Sequence, residues 1–88
     1  MPQLRGSIVD PAGRPVPGAA VYFVRGPVAL PDIAAQTGAD GAFSLHAPAP
    51  GAYRVGARAE GFEAQEAEVG VPAEGRIDLV IRLRGANR

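Results

Sequence analysis

Hydrophobic and polar residues alternate along most of this chain, in short stretches bounded by glycine or proline. Successive side chains of a β-strand point to opposite faces of the sheet, so a period of two predicts strands with one buried face. The clearest example lies near the C-terminus, where one face would carry Ile77, Leu79, Ile81 and Leu83. This pattern predicts an all-β protein.

Seven strands are predicted in this way. They cover residues 3–9, 19–24, 34–37, 42–46, 52–59, 66–71 and 76–84. Residues 63–68 are rich in good helix formers, but an isolated helix of this length is not stable in water. We therefore predict strand there as well, with Glu66 and Glu68 on the outward face.

Turn residues separate the predicted strands. Asp10-Pro11-Ala12-Gly13 is predicted to form a β-turn. Proline presets φ near −65° at the second position of the turn, and glycine is favoured at the last position. Asp40-Gly41 stands between two extended runs and predicts a hairpin. Residues 25–33 contain two prolines and a glycine, which predict a long loop. Short strands with a turn at each join are typical of an antiparallel sandwich.

The composition limits the classes of function. The chain has 88 residues, nine basic and nine acidic residues and no cysteine. We expect one domain over residues 1–88, with an ordered core at about residues 3–84. A net charge of zero argues against nucleic acid as a partner. Without a long apolar run or a charged leader, neither membrane insertion nor a signal peptide is expected.

Four blocks of residues occur in an order that resembles the carboxypeptidase regulatory-like domain. The blocks are Gly6-x-Ile8-x-Asp10-x-x-Gly13-x-Pro15-x-x-Gly18-Ala19-x-Val21, Thr37-Gly38-Ala39-Asp40-Gly41-x-Phe43-x-Leu45, Pro50-Gly51-x-Tyr53-x-Val55 and Ala59-x-Gly61-Phe62. The resemblance implies a seven-stranded, antiparallel Greek-key sandwich of the transthyretin-like (prealbumin-like) type. It also implies a non-catalytic accessory domain, favouring a periplasmic, cell-surface or extracellular location.

The hydroxyisourate hydrolases are an enzymatic branch of the same fold, and the chain departs from them at their catalytic positions. Those enzymes have a histidine in the first strand where Ser7 stands here, and they end in Tyr-Arg-Gly-Ser. This chain ends in Arg84-Gly85-Ala86-Asn87-Arg88 and has a single histidine, His46. The missing residues make hydrolysis the third interpretation of the function, and we predict no catalytic residues.

Polar residues that could form a site are better explained by the fold. His46 is predicted at a solvated strand end, without a second metal ligand or a nucleophile beside it. Asp10 and Asp40 are each expected to accept hydrogen bonds from the backbone of their own turns. A calcium site would need several converging oxygens, and Asp32 in the long loop is the only further candidate nearby. We therefore predict no cofactor and no metal.

Two further residue types are assigned structural roles. The ring of Tyr53 is predicted to fill the core while its hydroxyl group bonds a nearby backbone group, as in a tyrosine corner. Glu66 and Glu68 are predicted to be a charged strand edge that opposes aggregation.

Exposed apolar residues are the remaining candidates for partner contact. Tyr22 and Val24 lie on the outward face of the second predicted strand, and Val80 lies on the outward face of the last. Such a face indicates docking or self-association, although isolated exposed apolar residues are also normal. In the long loop, Val28, Leu30 and Ile33 either cover the open end of the sandwich or contact a partner.

The function predicted is that of an interaction module. It would present loops and one sheet face to a partner protein or to a neighbouring domain of a larger protein, and a weak homodimer is a further arrangement. The alternative is a carbohydrate-binding module. That alternative needs exposed aromatic rings, and Tyr22 is the only residue that could supply one.

Overall fold

Two β-sheets pack face to face around a shared hydrophobic core. The computed structural model describes residues 3–29, 34–74 and 76–85. The strands in these residues are β1 (Gln3–Val9), β2 (Ala20–Arg25), β3 (Ala34–Gln36), β4 (Ala42–His46), β5 (Gly51–Arg58), β6 (Phe62–Glu63), β7 (Gln65–Val71), β8 (Arg76–Arg82) and β9 (Arg84–Gly85). The described part of the chain contains no helix long and apolar enough to cross a membrane.

The strands are ordered β4-β1-β8 in one sheet and β3-β2-β5-β7 in the other, with β6 and β9 forming a separate pair. The chain passes repeatedly from one sheet to the other, as expected for a Greek-key sandwich. The core lies between the inner faces. Its largest fully buried side chains are Tyr53, Leu4, Ile8, Leu83, Val21 and Val55.

The predicted all-β sandwich is confirmed, whereas the predicted number of seven strands is not. Each predicted strand has a counterpart, but β6 and β9 are additional strands of two residues each. Two residues are too few to show a period in the sequence. Gly85, just beyond the predicted ordered core of about residues 3–84, pairs with Phe62.

One strand pair departs from the predicted antiparallel arrangement. β1 and β8 run parallel, with Leu4 opposite Ile77 and Ile8 opposite Ile81. Alternation indicates which side chains face the core but carries no information about strand direction. The parallel pairing of β1 and β8, the first and last long strands of the chain, could therefore not be predicted from their hydrophobic patterns.

The turn at residues 38–41 forms, but the hairpin predicted around it does not extend into a ladder. The amide of Gly41 donates to the carbonyl of Gly38 at 2.9 Å, and Gly41 has φ of +76°, which glycine adopts without strain. Beyond this turn, β3 and β4 belong to different sheets. The turn therefore carries the chain across the sandwich.

The predicted roles of Asp10 and Tyr53 in backbone bonding are confirmed. The Oδ1 atom of Asp10 accepts hydrogen bonds from the amides of Ala12 at 2.9 Å and Arg14 at 2.8 Å. The buried Tyr53 accepts a hydrogen bond from the Ala49 amide at 3.1 Å and donates one to the Ala49 carbonyl at 2.5 Å. Both residues therefore hold the ends of strands in place.

Candidate functional site

The outer face of the four-stranded sheet carries the main group of exposed side chains that could contact a partner. It is named the Tyr22 face and consists of Ala20, Tyr22, Arg54, Gly56, Arg58, Glu66 and Glu68. These residues face outward because their neighbours in each strand, such as Val21 and Val55, are fully buried. Alternation thus positions the face, and strand pairing brings its members together.

Tyr22 lies at the centre of this face, directly on a glycine. Tyr22 is opposite Gly56 in the β2–β5 ladder. A Cβ atom at position 56 would lie only 2.5 Å from Cε1 of the Tyr22 ring. The ring therefore occupies the space that a side chain would take, and the sheet holds it flat in a half-buried position. Aromatic coverage of a strand glycine is a known way to stabilise a sheet.

Arg58 stands beside this ring. Arg58 is opposite Ala20 in the β2–β5 ladder and therefore lies diagonally across from Tyr22. The central carbon of its guanidinium group lies 5.7 Å from the centroid of the Tyr22 ring, within the range of a cation–π contact. The side chain is exposed, and the ion pairs among the described residues involve Arg14 and Arg54 but not Arg58. Arg58 therefore presents a positioned positive charge to the solvent.

Arg54 is neutralised within the same face. Its Nε atom lies 2.6 Å from Oε1 of Glu66, and its Nη1 atom lies 2.8 Å from Oε2 of Glu68. The hydrogen bond to Glu66 is the main cause that holds the pKa of Arg54 above its usual value. All three residues are partly or fully exposed, so this network orders the face more than it stabilises the fold. The two glutamates belong to β7, an edge strand, in agreement with their predicted place.

The four predicted contact residues that the structure describes are not all brought together. Val24 is 43% exposed at the irregular end of the β2–β5 ladder, next to the Tyr22 face, and Val28 is 45% exposed in the following loop. Val80 is 65% exposed, but it lies on the outer face of the other sheet. Leu30 and Ile33 lie outside the described residues.

A shallow depression of about 460 Å³ borders the Tyr22 face at one end. Its lining includes Ala20 and Arg58 from the face, together with Ala59, Glu60 and Phe62. Phe62 is partly buried and packs against the core. The depression thus adds a small recess, with Ala59 and Phe62 as its apolar part, between the charged side chains of Arg58 and Glu60.

The other polar candidates do not converge. Asp10 and Asp40 each bond to their own turns, and His46 is exposed at the end of β4. Within residues 3–29, 34–74 and 76–85, no group of three potential metal ligands occurs. Asp32 lies outside the described residues.

Sequence reasoning placed Tyr22 outward but missed Gly56 and Arg58 as its neighbours. The alternation of Arg54, Gly56 and Arg58 in the fifth strand was visible in the sequence. What was not visible is that β5 lies beside β2, because strand order depends on contacts between distant parts of the chain.

Comparison with known proteins finds a family whose sequence model matches this chain. A model of the carboxypeptidase regulatory-like domain matches residues 3–84. None of the curated proteins compared with the chain matches its sequence.

Several solved structures are similar. A chain of a type II cohesin–X–dockerin complex from Acetivibrio cellulolyticus superposes with a TM-score of 0.72 and 21% identity, over 94% of this chain and 57% of that one. The minor pilin GBS52 from Streptococcus agalactiae has a TM-score of 0.72 and 16% identity, over 98% and 45%. The TIE protein from Bacillus anthracis has a TM-score of 0.70 and 13% identity, over 94% and 16%.

These likenesses show a shared sandwich fold. In the three structures the region similar to this chain is between 16% and 57% of the polypeptide. The chain therefore spans little more than half, or less, of the proteins that it resembles in structure.

Proposed function

Because the chain belongs to the carboxypeptidase regulatory-like domain family, we propose that it is a non-catalytic accessory module. Its Tyr22 face docks onto a neighbouring domain of the same polypeptide. The observation that carries this proposal is the placement of Tyr22 on Gly56 with the guanidinium group of Arg58 beside the ring. Tyrosine and arginine, together with tryptophan, are the residue types enriched among those that dominate binding energy at interfaces.

The rigidity of the face supports docking. The ring of Tyr22 is already held against the backbone of Gly56, so contact with a partner orders few additional rotamers. Arg54 is similarly restrained by Glu66 and Glu68. A pre-organised face loses less conformational entropy on binding than a face of free side chains does.

The charge of the face indicates the chemistry of the docked surface. The Arg54 network contains two carboxylates for one guanidinium group, whereas Arg58 carries a positive charge beside a recess that Ala59 and Phe62 line together with Glu60. The complementary surface would present a carboxylate to Arg58 and an apolar side chain to the recess lined by Ala59 and Phe62. The lengths of the similar structures support a neighbouring domain as the source of this complementary surface, since each of those chains extends well beyond the region matched here.

The two tyrosines of the chain provide a direct test. Tyr53 is 2% exposed, whereas Tyr22 is half-buried, so a tyrosine-modifying reagent such as tetranitromethane should react with Tyr22 and spare Tyr53. We expect nitration of Tyr22 to be strong in the isolated 88-residue chain. It should fall about tenfold in the complete polypeptide that the gene encodes, read out by peptide mass spectrometry.

Matched substitutions sharpen this test. Tyr22→Glu should separate the docked domains, at some cost in the free energy of unfolding of the isolated chain because Gly56 loses its covering ring. Val80→Glu on the other sheet should leave docking intact. Equal reactivity of Tyr22 in the isolated chain and in the complete polypeptide would contradict the proposal.

Carbohydrate binding is the second candidate, favoured by the flat, partly exposed ring of Tyr22 beside polar side chains. A sugar stacked on this ring would make retention on a polysaccharide column depend on Tyr22. Under the docking proposal, the isolated chain and its Tyr22→Ala variant elute together. Retention that is lost in Tyr22→Ala would favour the carbohydrate-binding module.

A further inference from the structure

The free edge of β4 differs from the other three sheet edges. The four edge strands of the two main sheets are β3, β4, β7 and β8. β3 has three residues in the described part of the chain, β7 carries Glu66 and Glu68 outward, and β8 carries Asp78 and Arg82 outward. Short strands and outward charges are the usual means by which proteins prevent edge-to-edge pairing. β4 has five residues, Ala-Phe-Ser-Leu-His, with no Asp, Glu, Lys, Arg or Pro among them.

The backbone groups that β4 leaves free can be assigned from its pairing with β1. Residues directly opposite in an antiparallel pair alternate between hydrogen-bonded and non-hydrogen-bonded pairs. The amide of Ile8 donates to the carbonyl of Gly41, and the register then makes Phe43 and Leu45 bond to β1 as well. Ser44 and His46 consequently direct their amides and carbonyls away from β1.

The start of the free edge is already satisfied by the preceding turn. The amide of Ala42 donates to Oδ1 of Asp40 at 3.0 Å, and its carbonyl accepts from the amide of Gly38 at 3.1 Å. The unpaired segment is therefore short and defined, with Ser44 and His46 as its members among the described residues.

We propose that β4 pairs with β4 of a second copy of this chain, so that two three-stranded sheets join into one six-stranded sheet. An antiparallel pairing centred on Leu45 sets Ser44 opposite His46 of the other copy, and the reverse, in two hydrogen-bonded pairs. A two-fold axis through the Leu45 pair relates the two copies, so each contributes the same segment to the contact, as a symmetric dimer requires. The register sets Ser44 and not a second histidine opposite His46, and β4 contains no Asp, Glu, Lys or Arg to oppose a like charge.

A second copy fits this edge better than an unrelated strand because the segment is self-complementary. The apolar side chains of Phe43 and Leu45 lie on the core face of both copies, and those of Ala42, Ser44 and His46 lie on the other face in both. The contact is limited to one short strand, so we expect a weak dimer with a dissociation constant in the range of about 10 µM to 1 mM.

Position 44 offers a clean substitution. The amide of Ser44 takes no part in the bonds to β1, and proline is tolerated in an edge strand where its missing N–H would face solvent. Ser44→Pro should therefore leave the fold intact and raise the dissociation constant of the dimer at least about tenfold. Ser44→Thr retains the amide and is the matched control, and it should dimerise as the unsubstituted chain does.

Sedimentation equilibrium over this concentration range measures the dimer, and NMR hydrogen exchange locates it. Protection of the amides of Ser44 and His46 should rise with protein concentration, while that of Leu45 should not change. Should Ser44→Pro fail to fold, as judged by circular dichroism, Ser44→Lys tests the same edge with a charge. A chain that is monomeric at 1 mM, or a dimer unaffected by both variants, would overturn the proposal. These variants lie on the sheet opposite to the Tyr22 face, so the result is independent of the proposed function.

Discussion

Tyr22 occupies the place of the missing side chain of Gly56, with its Cε1 atom 2.5 Å from where a Cβ atom would stand. The core face of the other sheet contains a similar arrangement. There Gly6 is opposite Phe43, and a Cβ atom at position 6 would lie 3.0 Å from the Phe43 ring. The two glycines differ in what else surrounds them, and this difference leads to opposite predictions.

Gly56→Ala should move the Tyr22 ring at little cost in stability. The atoms in the way are the far end of a partly exposed side chain, which can rotate. Alanine also restricts the unfolded chain, so we expect the free energy of unfolding to change by less than about 1 kcal/mol. The contact between Tyr22 and Arg58 should be lost, and the ring resonances of Tyr22 in the NMR spectrum should shift. An unchanged Tyr22 spectrum would contradict the assigned packing.

Gly6→Ala should be strongly destabilising. A Cβ atom at position 6 would lie 1.8 Å from the carbonyl oxygen of Leu79 in the adjacent parallel strand, and this backbone atom cannot rotate away. We expect the free energy of unfolding to fall by about 3 kcal/mol or more in urea titrations. Gly70→Ala is the control, because nothing lies within 4 Å of its Cβ position. Similar stabilities of the two variants would show that β1 and β8 do not approach so closely.

Thr37 should contribute to stability through its hydroxyl group. Its Oγ1 atom accepts a hydrogen bond from the Ala19 amide at 2.8 Å and donates one to the Val16 carbonyl at 2.7 Å, in a buried position. Thr37→Val leaves both backbone groups without this partner, and we expect a loss of about 2–4 kcal/mol in the free energy of unfolding. Thr37→Ser keeps the hydroxyl group and should retain most of the stability. Equal losses in the two variants would argue against these bonds.

Asp10 should make stability depend on pH in the acid range. The backbone hydrogen bond from Arg14 is the main cause that lowers the pKa of Asp10 below its ordinary value of 3.8, and the amide of Ala12 adds to it. The ionised form therefore stabilises the fold. This contribution is fully present above pH 3.8 and is lost as the pH falls below that value through the lowered pKa.

Urea titrations between pH 2 and pH 5 would check this dependence on Asp10. Asp10→Asn should flatten the loss of stability below about pH 4. Arg14→Ala keeps the backbone donor and removes only the guanidinium group, so most of the acid dependence should remain. If Arg14→Ala abolished it, the ion pair at 3.3 Å would be the dominant interaction instead.

Much of the strand structure and none of the pairing could be predicted from the sequence. The predicted inward positions, such as Val21 and Tyr53, are buried, because alternation along one strand is a local property. Local turn chemistry was equally readable at Asp10, since the acceptor and donors lie within four residues. The outward position of Tyr22 followed from the same alternation, but its contacts with Gly56 and Arg58 did not.

The sequence by itself determined where strands and turns form and which side chains of each strand face the core. Only the tertiary structure decided that Tyr22 lies on Gly56, that β1 and β8 run parallel, and that β4 is left as an unprotected edge. The physical reason is the range of the interactions. Strand alternation and turns depend on neighbours a few residues apart, whereas strand order depends on the burial of apolar surface from the whole chain at once.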